Sequence, residues 1–275
     1  MKASACAKLI LFGEHSVVYG YPAIAVPLKE LRLEVDISKS KSDSGLQTRQ
    51  KKALIVARQM LRISGRHKVK IMSKIPMAAG LGSSAALCVA ILKALCKLHK
   101  MKCSTQLISD VAFEMERIFH NNPSGIDTTV IVKEKPVYFQ KGKKIQILKI
   151  KKPFKIAILN AGRRASTSEI VARVAKEAAK NPRYGQLFHN MGRIANKAKG
   201  HLEKGENSKL PALVNLNQTY LNGIGVSTKK IDLLVKQIKQ KGGAAKISGA
   251  GKGGFIYFMP PEIKIRQKKL ILKIS

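Results

Sequence analysis

The spacing of apolar residues along the chain predicts a mixture of strands and helices. In residues 31–37 apolar and charged side chains alternate, which is the pattern of a strand with one buried face. In residues 107–119 apolar side chains instead recur at helical spacing and form one stripe. The same patterns predict strands over 8–12, 31–37, 69–72, 136–139, 145–150, 155–159, 245–247 and 254–259, and helices over 54–63, 83–99, 107–119, 167–179, 184–203, 208–222 and 228–240.

The order of these elements is typical of an α+β protein, because strands and helices come in blocks rather than in strict alternation. With 275 residues, 45% of them hydrophobic, the chain can form one large domain or two ordinary ones. The change from strands to a long helical block predicts a boundary near residue 150, and so domains at 1–150 and 151–275. The polar residues 39–49 predict an exposed connection.

The sequence has none of the features expected of a membrane, secreted or disulfide-rich protein. The apolar run 85–95 is too short for a bilayer span and is interrupted by Lys93. The first residues become charged too early for a secretory signal, so we expect a cytosolic protein. Since the cysteines have neither CxxC spacing nor a histidine framework, we expect buried apolar side chains in a reducing compartment rather than disulfides or zinc ligands. They are Cys6, Cys88, Cys96 and Cys103.

The charge of the chain is unusual, with 52 Lys and Arg against 16 Asp and Glu and a formal net charge of +36. Such a field attracts nucleotides and other polyanions. The lysines are spread along the whole chain, however, and aromatic residues make up only 5%. A dedicated nucleic-acid groove usually adds aromatic side chains for base stacking, so we expect a solvated basic surface and no specific nucleic-acid partner.

A strand, a glycine-rich turn and a long apolar helix meet in residues 76–86, PMAAGLGSSAA. Glycines let backbone N–H groups approach a phosphate, and the start of the following helix favours negative charge. The segment lacks the Gly-Lys-Ser/Thr of a Walker A loop and the GxGxxG of a dinucleotide site. The alternative is an ordinary capped helix, with Ser83 or Ser84 as the N-cap.

Two further motifs accompany this segment, AKLILFGEHSVVYGYPAIA at 7–25 and KISGAGKGG at 246–254. In this order and at these separations, the three resemble the signature motifs of the GHMP kinases. The first motif is similar to that of the mevalonate kinases within this superfamily. Residues 116–129, ERIFHNNPSGIDTT, resemble the segment that carries the metal-binding glutamate and the catalytic aspartate of those enzymes. The resemblance extends from residue 1 to about residue 260.

The resemblance implies a two-lobed fold, with an N-terminal lobe similar to the second domain of ribosomal protein S5 and a C-terminal ferredoxin-like lobe. It also implies an ATP- and Mg²⁺-dependent kinase that phosphorylates the 5-hydroxyl of mevalonate in isoprenoid biosynthesis. A homodimer inhibited by isoprenoid diphosphates is expected on the same basis. The alternatives are another GHMP kinase, acting on phosphomevalonate, homoserine or a sugar, or an RNA-binding protein on an S5-like lobe.

The resemblance also assigns roles to individual residues. Asp127, expected in a loop, is the proton acceptor, and Lys8 lies beside it. Ser84 and Glu116 bind the metal. Phosphate contacts are implied for Pro76, Ala79, Gly80, Leu81, Gly82, Ser83, Ser84 and Ala85, and acceptor contacts for Glu14, His15, Thr167, Ser248, Gly249 and Ala250. These roles meet the needs of phosphoryl transfer, namely alignment, charge neutralisation and a group that takes the alcohol proton.

The chain departs from the family pattern at three places. Cys6-Ala7 stands where the family commonly has Pro-Gly, and Asn121 stands where it has glycine. Asparagine tolerates left-handed backbone conformations, so the second change is mild. Lys252 replaces a small residue of the third motif, and an additional phosphate contact is expected there.

Overall fold

The computed structural model describes residues 1–76, 80–120, 123–162 and 166–275. The chain forms two compact units, each made of separate segments. Unit 1 comprises Met1–Lys8, Pro27–Met77 and Gly82–Glu134, and unit 2 comprises Leu9–Val26, Ala78–Leu81 and Lys135–Ser275. The α+β class is confirmed, while the predicted division at residue 150 stays a prediction.

The first sheet contains five strands in the order β1-β2-β4-β5, with β3 paired to β2. Within unit 1, β2 and β3 are antiparallel, with Leu33 opposite Ser73. Within unit 2, the first residues of β2 pair with β4, which in turn pairs with β5. The strands are β1 (Lys2–Phe12), β2 (Ala23–Ser40), β3 (Arg66–Ser73), β4 (Val137–Phe139) and β5 (Gln146–Ile147).

The helices of unit 1 pack around a central, strongly apolar helix. This helix, α2, buries most of its length, which a sequence as apolar as SSAALCVAILKALCKL requires. Helix α3 packs against α1, α2 and α4 and buries the predicted stripe at Val111, Ala112 and Met115. The helices of this unit are α1 (Thr48–Leu61), α2 (Ser83–Leu98), α3 (Thr105–Arg117) and α4 (Ile126–Lys133).

Unit 2 combines a four-stranded antiparallel sheet, ordered β7-β8-β6-β9, with four helices. One face of the sheet shares a hydrophobic core with the helices, through residues such as Leu159, Ile247 and Phe258. The strands are β6 (Phe154–Asn160), β7 (Ala244–Ser248), β8 (Phe255–Met259) and β9 (Lys269–Ile274), and the helices are α5 (Thr167–Lys180), α6 (Arg183–Lys204), α7 (Leu210–Gly223) and α8 (Lys229–Gln240).

Every predicted strand and helix is present, with some shifts in length. β2 begins earlier than expected, β5 keeps only two residues, and a short 3₁₀ turn (Ser16–Tyr19), α4 and β9 were not predicted. The loop expected around Asp127 was wrong, because this residue lies in the first turn of α4. None of the helices in the described ranges is both long and apolar enough to cross a bilayer.

The expectation that all four cysteines are free was also wrong. Cys96 and Cys103 form a disulfide, while Cys6 and Cys88 are free and buried. Cys96 lies near the end of α2 and Cys103 just before α3. The turn between the two helices brings their Cα atoms to 6.4 Å, a normal separation for a disulfide. A search for CxxC spacing misses this disulfide, because its two cysteines lie seven positions apart, on either side of the end of α2.

Candidate active site

The site in unit 1 is built around an ion pair between β1 and α4. The Nζ atom of Lys8 lies 2.8 Å from Oδ1 of Asp127. The Lys8 side chain is 3% exposed, whereas that of Asp127 is 28% exposed. Asp127 is in the first turn of α4, where the helix dipole favours a carboxylate. The arrangement therefore presents a carboxylate to solvent with a buried cation behind it.

The start of α2 lies against Lys8. Gly82 is the N-cap of α2 with φ +73°, and no side chain caps the helix there. A Cβ atom added to Gly82 would lie 2.8 Å from Cγ of Lys8, so only glycine allows this approach. The alternative of Ser83 or Ser84 as the N-cap was wrong. Both serines belong to the first turn of α2, whose N–H groups are the ones that bind anions at helix starts.

A buried carboxylate from α3 lies beside this helix start. The Ser84 hydroxyl donates to Oε1 of Glu116 at 3.4 Å, and Nε2 of His120 lies 3.3 Å from the same hydroxyl. Glu116 is only 2% exposed. Burial raises the pKa of Glu116 to about 8, and the negative Asp127 adds to this rise, while Lys8 and Ser84 oppose it. Burial and the negative Asp127 thus outweigh the nearby Lys8 ammonium at this carboxyl group.

This pair of oxygen donors fits a magnesium ion. Within the described ranges, the second oxygen of Glu116, Oε2, is buried and has no hydrogen-bond partner. Mg²⁺ prefers hard oxygen ligands and is held by one or two carboxylates together with substrate phosphates. Among the described residues, no group of three or more His, Cys, Asp or Glu side chains is arranged to hold a metal ion.

In unit 2, a second ion pair connects the first and third motifs. The Nζ atom of Lys246 donates to Oε1 of Glu14, and both side chains are almost fully buried. Next to Glu14, Nε2 of His15 is 3.0 Å from the carbonyl oxygen of Ala250. The Ser248 hydroxyl donates to the carbonyl of Ile10 at 3.3 Å. The residues in contact are more than 230 positions apart in sequence and adjacent in the fold.

The turns of the second and third motifs also meet within unit 2. A Cβ atom added to Gly249 would lie 3.6 Å from Cα of Gly80. Gly80 and Leu81 belong to this unit, while Gly82 begins the α2 segment of unit 1. The Lys252 ammonium donates to the carbonyl of Ser227 at 3.0 Å, and the phosphate contact expected of Lys252 stays a prediction.

Comparison with known proteins decides the family. The family models for the N-terminal and C-terminal domains of GHMP kinases match residues 50–135 and 198–272. The mevalonate kinase of Pyrococcus furiosus is 34% identical over 312 aligned residues, which cover 99% of this chain and 92% of the relative. The chain belongs to the GHMP kinase family.

Other relatives of this GHMP kinase agree. A mevalonate kinase of Archaeoglobus fulgidus is 33% identical, covering 94% of this chain and 91% of its own. The mevalonate kinase of Staphylococcus aureus, whose crystal structure is known, is 28% identical to this chain. The two structures have a TM-score of 0.75, and the match covers 98% of this chain and 97% of the other. The structure of L. major mevalonate kinase with R-mevalonate has a TM-score of 0.85 at 24% identity over 100% and 96% of the two chains, which supports the fold.

Family membership makes the chain an ATP-dependent phosphotransferase that acts on an alcohol. The two-lobed GHMP kinase fold is thereby confirmed. The structure brings together Lys8 with Asp127 and Ser84 with Glu116 in unit 1. In unit 2 it brings Glu14 and His15 to the third motif.

Some predicted residues are not tied to these clusters by the contacts described above. Thr167 is the first residue of α5, and Pro76 ends the first described range. Ala79 lies outside the described residues, as does Asn121. Their roles stay predictions.

Lys246 is the residue of the site that sequence reasoning missed. It is the first residue of the third motif, but the resemblance implied no role for it. The available signal was a lysine inside an otherwise apolar strand, AAKIS, which is fully buried in the structure. A charged residue in such a strand needs a partner of opposite charge.

Proposed function

We propose that this GHMP kinase transfers the γ-phosphoryl group of ATP to the 5-hydroxyl of mevalonate, giving 5-phosphomevalonate for isoprenoid biosynthesis. The observation that carries the proposal is the Lys8–Asp127 pair, with its Nζ–Oδ1 distance of 2.8 Å and its solvent-accessible carboxylate. The mevalonate kinase relatives at 33–34% identity support the acceptor.

Asp127 is the proton acceptor for the alcohol. Phosphoryl transfer requires a group that takes the hydroxyl proton as the new P–O bond forms. The Asp127 carboxylate lies in the first turn of α4, is partly exposed and is paired with the Lys8 ammonium, so it is placed to accept that proton. Lys8 stabilises the negative charge that develops on the acceptor oxygen and on the phosphoryl group.

Ser84 and Glu116 hold magnesium. The Ser84 hydroxyl and the unpartnered Oε2 of Glu116 are the two hard oxygens available for it. When bound, the ion neutralises the charge of the β- and γ-phosphates. Ionisation of Glu116 accompanies loading, because a carboxyl group must lose its proton to become a ligand.

The phosphates contact the second motif. The uncapped first turn of α2 offers backbone N–H groups at Ser83, Ser84 and Ala85, and the positive end of the helix dipole lies there. The remaining contacts come from the preceding segment. They are assigned to Pro76, Ala79, Gly80, Leu81 and Gly82.

The acceptor contacts residues of unit 2. Glu14 and His15 form a short loop, which we call the acceptor loop, and the third motif supplies Ser248, Gly249 and Ala250. Support comes from the contacts that join these two segments. Thr167 at the start of α5 completes the set.

A coupled assay of ADP release with mevalonate, with and without Mg²⁺, tests the proposal. We expect turnover only when ATP, Mg²⁺ and mevalonate are all present. Phosphomevalonate, homoserine and galactose serve as competing acceptors. Preferred turnover of any of these would replace mevalonate as the substrate.

The proposal includes the state of the enzyme. We expect a cytosolic homodimer in which isoprenoid diphosphates compete with ATP. Light scattering coupled to size-exclusion chromatography measures the oligomer. Inhibition by an isoprenoid diphosphate at several ATP concentrations tests the competition, because competitive inhibition disappears at saturating ATP.

A further inference from the structure

The β7–β8 hairpin of unit 2 has one apolar face and one polar face. Strand alternation places Ala245, Ile247, Ile256 and Phe258 in the core shared with the helices. The other face carries Lys246 and Tyr257, which lie directly opposite each other in the antiparallel register. Both side chains are fully buried. The polar face is therefore covered rather than open to water.

Lys246 has three contacts on this face. Its ammonium donates to Oε1 of Glu14 and to the carbonyl of Ile247 at 2.8 Å, and it lies 5.1 Å from the centre of the Tyr257 ring. Burial lowers the pKa of Lys246, and the negative Glu14 opposes that shift. A buried ion pair contributes less to stability than an apolar pair of the same volume often would, so a functional reason for keeping it is needed.

The neighbours of Lys246 fix the chain that leads into the acceptor loop. The Tyr257 hydroxyl donates to the carbonyl of Leu11 at 2.8 Å. In the loop itself, His15 has φ 61° and ψ −52°, a conformation that L-residues rarely adopt and that persists only where surrounding contacts enforce it. The residue immediately before it, Glu14, is the one that Lys246 holds.

We propose that Lys246 is the positioning residue of the acceptor loop: it holds Glu14 in place and so maintains the backbone turn that presents His15. This inference rests on the proposed function, because it assumes that Glu14 and His15 bind the acceptor. Lys246 acts through Glu14, and Lys8 and Asp127 perform the chemistry.

The inference predicts a selective effect on the acceptor. The proposed metal ligands and the phosphate contacts at the start of α2 belong to unit 1, while Gly80 and Leu81 belong to unit 2. Lys246 contacts Glu14, which is assigned to the acceptor. Lys246→Met should therefore raise the KM for mevalonate about ten- to a hundredfold, since small displacements of positioning groups have effects of that size. The KM for Mg·ATP should stay within about threefold of the parent value.

Lys269→Met is the matched control. Lys269 is also a lysine of the same sheet that lies near an aromatic ring of β8, 5.7 Å from the centre of Phe258, and its ammonium donates to backbone carbonyls alone. We expect parent values of both KM constants. If neither the parent nor this control phosphorylates mevalonate, the proposed function is wrong. If both do so but Lys246→Met does not raise the mevalonate KM selectively, only the role of Lys246 is wrong.

Two further variants keep the test decisive. Lys246→Gln can still donate to Glu14, so it should raise the mevalonate KM less than Lys246→Met does. If Lys246→Met does not fold, Lys246→Gln provides the test in its place. Glu14→Gln combined with Lys246→Met should be no worse than Glu14→Gln alone, because a residue acting through another shows non-additive effects. Parent KM values in the folded Lys246 variants, equal rises for both substrates or additive effects would overturn the inference.

Discussion

Lys8–Asp127 in unit 1 and Lys246–Glu14 in unit 2 are both lysine–carboxylate pairs, and they differ in access to water. The carboxylate of the first is 28% exposed, whereas that of the second is 1% exposed. A carboxylate that exchanges a proton with a substrate must be reachable by water and substrate, while one that holds a loop need not be exposed before the substrate binds. The difference supports our proposal that the first pair takes part in the chemistry and the second holds a loop in place.

The largest expected effect is on stability and comes from breaking the sealed pair. Lys246→Met removes the buried ammonium that donates to Glu14, so we expect the free energy of unfolding to fall by about 3–5 kcal/mol. Asp127→Asn should lower it by less, because Asn can still accept from Lys8 and water reaches the Asp127 side of the pair. Urea denaturation measures both. Equal losses would show that the two pairs do not differ in the way described.

The second effect concerns Glu116, a carboxyl group that is 2% exposed. Its pKa of about 8 lies above the ordinary value of 4.5. The folded state therefore binds this proton more tightly, and the resulting stability is complete below pH 4.5 and lost as the pH rises through 8. Glu116→Gln should thus stabilise the ligand-free protein at pH 8 by about 1–4 kcal/mol relative to the parent.

The same substitution should weaken metal use, because an amide oxygen carries no charge. Turnover at limiting Mg²⁺ should fall at least about tenfold. Thermal unfolding at pH 5 and pH 8 measures the effect on stability. The turnover rate measured at increasing Mg²⁺ concentrations tests the effect on metal use. A variant that loses stability at pH 8, or that keeps the parent magnesium dependence, would contradict the assignment of Glu116 as a ligand held in an apolar site.

A smaller effect is expected from a pair of imidazoles, the buried His67 and the half-buried His99. Nε2 of His67 on β3 lies 3.0 Å from Nε2 of His99 at the end of α2. Burial lowers the pKa of both imidazoles below 6.5, and their mutual repulsion adds to this for His67. Their contribution to stability is complete above pH 6.5 and is lost as the pH falls. His67→Gln should reduce the drop in melting temperature between pH 7.5 and pH 5.5, and an unchanged drop would exclude this pair as its source.

Local patterns predicted most of the fold because most elements have a clear period and clear ends. The exceptions have physical reasons. Helix α4 has only eight residues and is rich in β-branched side chains, IDTTVIVK, which lower helix propensity. The packing of α4 against α2 and α3 outweighs that preference. Strand β9 lies in a short C-terminal segment and is defined by its pairing with β6.

The candidate site also contains one part that could be predicted from the sequence and one part that could not. The Lys8–Asp127 pair was expected from motifs that resemble a known family, and the structure places the two side chains in contact. The Glu14–Lys246 pair joins residues 232 positions apart, and no local period connects them. The sequence does place a lysine among apolar strand residues, which are buried in the structure. This pattern indicates that Lys246 has a partner of opposite charge, but it does not identify that partner.

The central claim is that Asp127 is the proton acceptor, and a single-turnover experiment tests it most directly. The rate of phosphoryl transfer to mevalonate is measured at saturating Mg·ATP for the parent, for Asp127→Asn and for Glu134→Gln, which removes a carboxylate next to the last residue of the same helix. We predict at least about a hundredfold loss for Asp127→Asn and a rate close to the parent for Glu134→Gln. A parent-like rate for Asp127→Asn would contradict the account.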